Sequence, residues 1–202
     1  VEFGSSAEDD AAIVSVPPYH IAGISAVISS AYSGRRVVYL ESFEPLEWVE
    51  TVRRESISHA MVVPTMLTRI LDIVEADGGG MSSLRALSYG GGPMPLPVIE
   101  RAMKLLPTVG FVNAYGLTET SSTISVLGPD DHRAAFDSDD PDARARLGSV
   151  GKPLPSIEVS IRDPFGDPVP AGERGEIWVR GEQVSGEYLG RKLTDDAGWF
   201  NT

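Results

Sequence analysis

Short apolar, β-branched runs alternate with amphipathic stretches through the first half of this sequence, and that alternation admits few folds. Residues 11–16 (AAIVSV) form an apolar run stopped by Pro17 and Pro18. Residues 21–32 are small, apolar and long enough for a helix. Residues 36–40 (RVVYL) are short and β-branched. Residues 45–55 set Leu46, Val49 and Val52 at steps of three behind Pro45, a residue suited to a first helical turn. Strand-like 59–63 (HAMVV) is followed by 64–74, with Met66, Leu67, Ile70, Leu71 and Val74 at helical spacing. Strand 84–89 (LRALSY) precedes helix 95–106, which holds Val98, Ile99, Ala102, Leu105 and Leu106 on one face, and strand 109–114 follows. This order predicts an α/β fold, a mostly parallel sheet flanked by helices. Crossovers in such sheets are right-handed and ligands sit beyond the carboxyl ends of the strands. Two segments are therefore singled out: Gly90-Gly91-Gly92, after strand 84–89, and Tyr115 to Thr120, after strand 109–114.

The character of the chain shifts near Gly128. Residues 129–146 (PDDHRAAFDSDDPDARAR) are polar and charged and read as a surface loop or linker. Beyond them Ile157, Val159 and Ile161 alternate with Glu158, Ser160 and Arg162, the period of a half-buried strand. Asp163-Pro164-Phe165-Gly166 is turn chemistry, and residues 176–180 (EIWVR) make another strand. The division expected is 1–128, an α/β subdomain, and 129–202, the linker and a small all-β, barrel-like subdomain. The start has neither Met nor a leader-like pattern and the end carries aromatics, so the chain reads as a central piece excised from a longer protein.

Composition narrows the function classes. A net charge of −12 opposes a phosphate-neutralising footprint, so no nucleic acid is expected as partner. The absence of cysteine removes thiolate catalysis, disulfides and zinc–sulfur sites. His20, His59 and His132 lie too far apart for a zinc-binding spacing, and no apolar run is long enough to span a membrane. With no leader-like pattern and no cysteine, a cytoplasmic location is expected.

Several motif matches fail on inspection. Gly148-Ser149-Val150-Gly151-Lys152-Pro153 puts Pro where a phosphate loop needs Ser or Thr, and reads as a turn. Asp137 to Asp142 lacks the glycine of a calcium loop and reads as solvated acid. Gly78-Gly79-Gly80 reads as a flexible helix exit. The segment from Asn113 to Thr120 (NAYGLTET) is richer: a ring that can stack on a base, a hydroxyl for a phosphate oxygen and a carboxylate suited to Mg²⁺. Its plainer reading is a helix start, with Thr118 as cap and Glu119 favoured by the dipole. His20 reads equally as a core histidine satisfied by a carbonyl.

On these residues the chain resembles the adenylate-forming superfamily of acyl-CoA synthetases, firefly-type luciferases and peptide-synthetase adenylation domains. NAYGLTET is similar to its signature, Pro17-Pro18-Tyr19-His20 to its Pro-x-x-His segment, and YGGGPMP (89–95) to its glycine turn. Residues 148–153, 172–181 (GERGEIWVRG) and 198–202 (GWFNT) follow in family order. The resemblance implies that Tyr115 stacks on adenine, with Gly90, Gly91, Gly92 and Pro93 lining the other side. Asn113, Ala114, Gly116 and Leu117 would contact AMP, Thr118 the α-phosphate, and Glu119 would hold Mg²⁺. His20 and Gly23, with Gly90 and Gly116, would border the acyl pocket, leaving Thr118, Glu119 and His20 as catalytic residues. The implied activity is an ATP-dependent carboxylic acid–CoA ligase: a carboxylate attacks the α-phosphate of ATP, pyrophosphate leaves, and coenzyme A takes the acyl group.

The departures from the family pattern matter as much. Its Ser/Thr/Gly-rich phosphate loop, the Gly-Asp after 198–202 and the carboxyl-terminal domain with its lysine are not in these residues. The segment 183–192 (QVSGEYLGRK) is short beside the family's. The isolated chain is therefore expected not to turn over. No acid stands among Pro18 to Ala22 to hold an α-amino group, which favours a fatty, aryl or other acid without one. The alternatives are an acyl-AMP ligase delivering to a carrier protein and a non-catalytic nucleotide-binding module.

Overall fold

A computed structural model describes residues 9–185, 187, 188 and 190–202. Residues 1–4, read above for a leader, and Gly186 and Leu189 of the 183–192 segment lie outside the described residues. The chain forms two compact units: one is built from the chain up to Ala114 and from Leu127–Gly151, the other from Tyr115–Val126 and Lys152–Thr202.

The first unit is the α/β part. Strands β1 (Ala11–Val14), β2 (Arg36–Tyr39), β3 (His59–Val62), β4 (Ala86–Tyr89) and β5 (starting at Gly110 of Gly110–Leu117) lie in the order β2-β1-β3-β4-β5. All are parallel, with Ala12 opposite His59 and Tyr89 opposite Asn113. The connecting helices are α1 (Ile21–Tyr32), α2 (Pro45–Arg54), α3 (Pro64–Asp77) and α4 (Leu96–Leu105). The order reverses beside β1, so right-handed crossovers put α1 on one face of the sheet and the other three helices on the opposite face. Consistent with this, α2 packs on α3, α3 on α4, and α1 on β1 and β2.

The core sits under the three-helix layer. Trp48, Leu67, Ile70, Leu71, Ile99 and Met103 are all fully enclosed there. Helix α1 is less covered by the described residues: Ile28 is 61 % and Tyr32 93 % exposed. In α2 the expected stripe shifts, because Leu46 stays 47 % exposed and Trp48 fills the core beside Val49 and Val52. The glycine run after α3 is anchored rather than flexible. Gly78 adopts the left-handed cap geometry, and Arg53 of α2 binds Asp77 at 2.7 Å and the Gly79 carbonyl at 2.7 Å.

The segment read as a linker is helical. Helix α5 (Pro129–Phe136) buries His132 and Ala135, and α6 (Pro141–Ala145) is capped by the Asp140 carboxylate, which accepts from the Asp142 N–H at 3.0 Å. Pro at the first position of each helix and acids in the first turns are helix-start signals that outweigh the polar composition.

The second unit has no α-helix among its described residues. It holds the end of β5, strand β6 (Ser122–Leu127, through Val126), and β7 (Lys152–Pro153), antiparallel to β6. Strands β8 (Glu158–Arg162), β9 (Glu176–Arg180) and β12 (Phe200–Asn201) form a sheet in the order β12-β9-β8, and β10 (Glu187–Tyr188) pairs with β11 (Arg191–Lys192). Its core is Ile124, Ile157 and Val179, with Tyr115, Leu154 and Phe200 packed against them.

Candidate functional site

Within the first unit, the loops after β1 and β4 and the Asn113-Ala114 part of β5 all lie at the carboxyl edge of the parallel sheet. That edge is where such sheets bind ligands, above all where the strand order reverses, here between β1 and β3. The loop after β1 carries His20. It is neither buried nor a core histidine: it is exposed and caps α1, its Nδ1 accepting from the Ala22 N–H at 3.2 Å. An accepting Nδ1 leaves Nε2 to carry the proton of the neutral ring, so an N–H donor remains unused. Gly23 is buried, and a Cβ there would lie 2.2 Å from the Pro17 carbonyl oxygen, so its smallness serves helix packing.

The glycine bend springs from β4 directly beside β5. A Cβ on Gly90 would stand 2.4 Å from the Ala114 carbonyl oxygen, and Gly91 has φ +76, a left-handed geometry that other residues resist. Gly92 faces open space, and Pro93 is exposed. The strand end below the bend is pinned by a buried pair. The Tyr89 hydroxyl donates to His132 Nε2 at 2.8 Å, and His132 Nδ1–H donates to the Gly128 carbonyl at 2.8 Å. Burial lowers the His132 pKa and raises that of Tyr89, so the imidazole is neutral and the phenol protonated. Asn113 is buried and already spends one amide N–H on the Ser149 carbonyl at 2.9 Å. Its carbonyl and second N–H remain for a ligand.

The rest of the octapeptide belongs to the second unit, and its shape differs from the expected helix start. Strand β5 continues through Leu117, a single 3₁₀ turn covers Thr118–Thr120, and Ser121 and Ser122 follow at φ 51 and 91. The residue that ties this turn is Thr120, not Thr118. The fully buried Thr120 Oγ1 accepts from the Leu117 N–H at 2.9 Å and lies 3.0 and 2.9 Å from the Leu117 and Ser122 carbonyls. Gln183 supports it from a distant loop, donating Nε2–H to the Thr120 and Thr123 carbonyls at 2.9 and 2.8 Å. The Ser185 N–H donates to the Glu119 carbonyl at 2.6 Å. Gly116 is forced by proximity: a Cβ would fall 1.7 Å from the Ser122 carbonyl oxygen.

Held this way, the turn presents its chemistry outward. Thr118 is exposed and Glu119 half-buried, and among the described residues neither side chain is engaged by another protein group. Leu117 is half-buried on the strand. Tyr115 packs one part of its ring on the small core and donates its hydroxyl to Thr202 Oγ1 at 3.0 Å. No group of three or more His, Asp or Glu side chains among the described residues is placed to hold a metal. A lone carboxylate fits Mg²⁺ only when phosphate oxygens and water complete the shell, which is how that ion binds nucleotides. Sequence reasoning missed Thr120, Gln183 and Thr202. Thr120 lay within the motif, whereas nothing local marks the other two.

The family described as AMP-binding enzyme matches residues 1–189. The chain is 35 % identical over 200 residues to a 2-succinylbenzoate–CoA ligase of Bacillus licheniformis, covering 96 % of this chain and 38 % of that protein. It is 31 % identical over 201 residues to a feruloyl-CoA synthase of an Amycolatopsis species, covering 97 % and 38 %. Among solved structures, the o-succinylbenzoate coenzyme A synthetase of Bacillus subtilis in complex with ATP and magnesium superposes with a TM-score of 0.79 at 31 % identity, over 98 % of this chain and 39 % of that one. The amide bond synthetase of Marinactinospora thermotolerans gives 0.83 at 31 % identity, over 99 % and 38 %. The chain thus spans under two fifths of the length of these relatives.

Proposed function

The chain belongs to the AMP-binding enzyme family, and from that premise we propose that it supplies the nucleotide and acyl residues of an ATP-dependent acid–CoA ligase. The observation that carries this is the outward, unengaged Thr118–Glu119 pair on a turn tied from beneath by Thr120 and Gln183. The turn's backbone is fixed by Thr120 and Gln183, while this hydroxyl and carboxylate are left unused by the described residues. Bound MgATP would supply the electrophilic phosphorus and the leaving pyrophosphate. Of this chain's own groups, Thr118 Oγ1 would donate to the α-phosphate and Glu119 would hold the metal. Tyr115 would stack on adenine against Gly90, Gly91, Gly92 and Pro93, with Asn113, Ala114, Gly116 and Leu117 contacting AMP. His20 Nε2–H, with Gly23, would orient the incoming carboxylate. Positioning and charge neutralisation are most of what phosphoryl-type transfer needs.

The substrate is read as a carboxylic acid without an α-amino group, since no acidic residue accompanies His20. Both curated relatives act, by name, on aryl-bearing acids, which supports that class over a free amino acid. Coenzyme A is the favoured acceptor; a carrier protein or an amine is the second, the latter because a solved relative is an amide bond synthetase. The 202 residues alone are expected to be inactive, because they span so little of an active relative's length.

The test is pyrophosphate release by the protein at its full encoded length, across a panel of aryl and aliphatic acids, with and without coenzyme A. At least one acid should release pyrophosphate, and Glu119→Gln should cut that rate about a hundredfold or more. Silence across the panel would leave the non-catalytic module as the better reading, and an unaffected Glu119→Gln protein would remove Glu119 as the metal-holding residue.

A further inference from the structure

Tyr115 is held in two ways. Its side chain packs on the Ile124, Ile157 and Val179 core, and its hydroxyl donates to Thr202 Oγ1 at 3.0 Å. The second anchor comes from 87 positions along the chain, so something must hold Thr202 itself in place. Its N–H donates to the Ile177 carbonyl at 3.0 Å, and β12 pairs with β9 through Phe200 opposite Val179 and Asn201 opposite Trp178. Trp199, one step before β12, lies under two guanidinium groups, Arg162 at 4.6 Å and Arg180 at 4.7 Å from its ring centre. Arg162 also covers Trp178 at 4.7 Å. The Asn201 amide donates to Glu176 at 2.8 Å, and the Trp199 N–H to Asp195 at 2.8 Å. Ladder, cation–π stack and side-chain bonds therefore all restrain the segment that ends in Thr202.

We propose that Thr202 is a positioning residue for nucleotide recognition, holding the Tyr115 ring ready before the base arrives. This rests on the reading of Tyr115 as the adenine platform and deepens it. The torsion at the root of an aromatic side chain has three staggered wells, and hopping between them swings the whole ring. A stacking surface contributes fully only when its orientation is set in advance, since ordering it on binding subtracts from affinity. Anchoring the phenol oxygen selects one of those wells without occupying the ring face.

The experiment uses the protein at its full encoded length with four substitutions: Thr202→Val, Thr202→Ser, Tyr115→Phe and the double Tyr115→Phe/Thr202→Val. AMP and tripolyphosphate, which carries no base, serve as probes. Losing one hydroxyl–hydroxyl bond should weaken AMP binding about three- to tenfold. Thr202→Val and Tyr115→Phe should each do so, raising KM for ATP while leaving KM for the acid unchanged. The double substitution should be no worse than either alone, because both remove the same bond. Thr202→Ser should restore AMP binding, and tripolyphosphate should bind all variants alike. If Thr202→Val fails to fold, Tyr115→Phe still reports the bond, since it keeps the ring's packing. Unchanged AMP affinity in Thr202→Val and Tyr115→Phe, additive losses, or an equal loss of tripolyphosphate binding would overturn the proposal. A wild-type protein that binds no AMP would instead overturn the functional reading beneath it.

Discussion

His132 shows how one side chain ties the candidate site to the stability of the fold. It is buried as the neutral ring, with a pKa below the usual 6.5 because burial penalises its charged form. The unfolded chain therefore takes up a proton before the folded one does as pH falls. Stability should be constant above about pH 6.5 and decline as the pH drops below it. Urea titrations at stepped pH should show that decline in the wild type and a flatter profile in His132→Gln; stability that rises on acidification would contradict the assignment. Gly116 offers a sharper test. Gly116→Ala drives a methyl group into the Ser122 carbonyl oxygen, and a loss of about 1–3 kcal/mol or more is expected in thermal or urea melts. At this scale the sequence disclosed what chemistry the octapeptide carries but not how it is held. Tyr115, Thr118 and Glu119 announce themselves by type. Gln183 and Thr202 act through hydrogen bonds spanning 63 and 87 positions, and no local pattern encodes such partners.

Elements were legible where periodicity was strong. Helices α3 and α4 lie where their apolar spacing put them, because each has a whole stripe to bury against the sheet. Helix α5 was missed because it is short, carries charge at Asp130, Asp131 and Arg133, and buries only His132 and Ala135. Strand β5 outran its expected end, since the residues that look like a helix start are held extended up to Leu117. The unequal covering of the sheet makes a measurable contrast. Leu67→Ala in α3 removes a fully enclosed side chain and should cost about 2–5 kcal/mol. Ile28→Ala in α1 touches a mostly exposed one and should stay within about 0.5 kcal/mol of wild type. Comparable losses at the two positions would mean that α1 is covered as well as α3.

For the molecule as a whole, a net charge of −12 opposes the approach of any polyanion. The ATP of the proposed function would meet that repulsion, and magnesium would remove part of it. In the absence of magnesium, ATP affinity should rise between about 0.01 M and about 0.15 M salt, as screening takes over. A fall over that range would place the nucleotide in a locally basic setting. The class of fold was visible at this scale from the alternation of strands and helices alone. Two units were expected too, divided at 128/129, but the boundary itself was not legible, because it cuts through β5 between Ala114 and Tyr115. The backbone goes over at that point, comes back at Val126–Leu127 and leaves again at Gly151–Lys152. No one scission can therefore release either half intact. A truncation at Gly151 would strand Ile124 without Ile157 and Val179, its packing neighbours. Anyone seeking the first unit by itself must rejoin the backbone with a new bridge from Ala114 to Leu127, not merely shorten it.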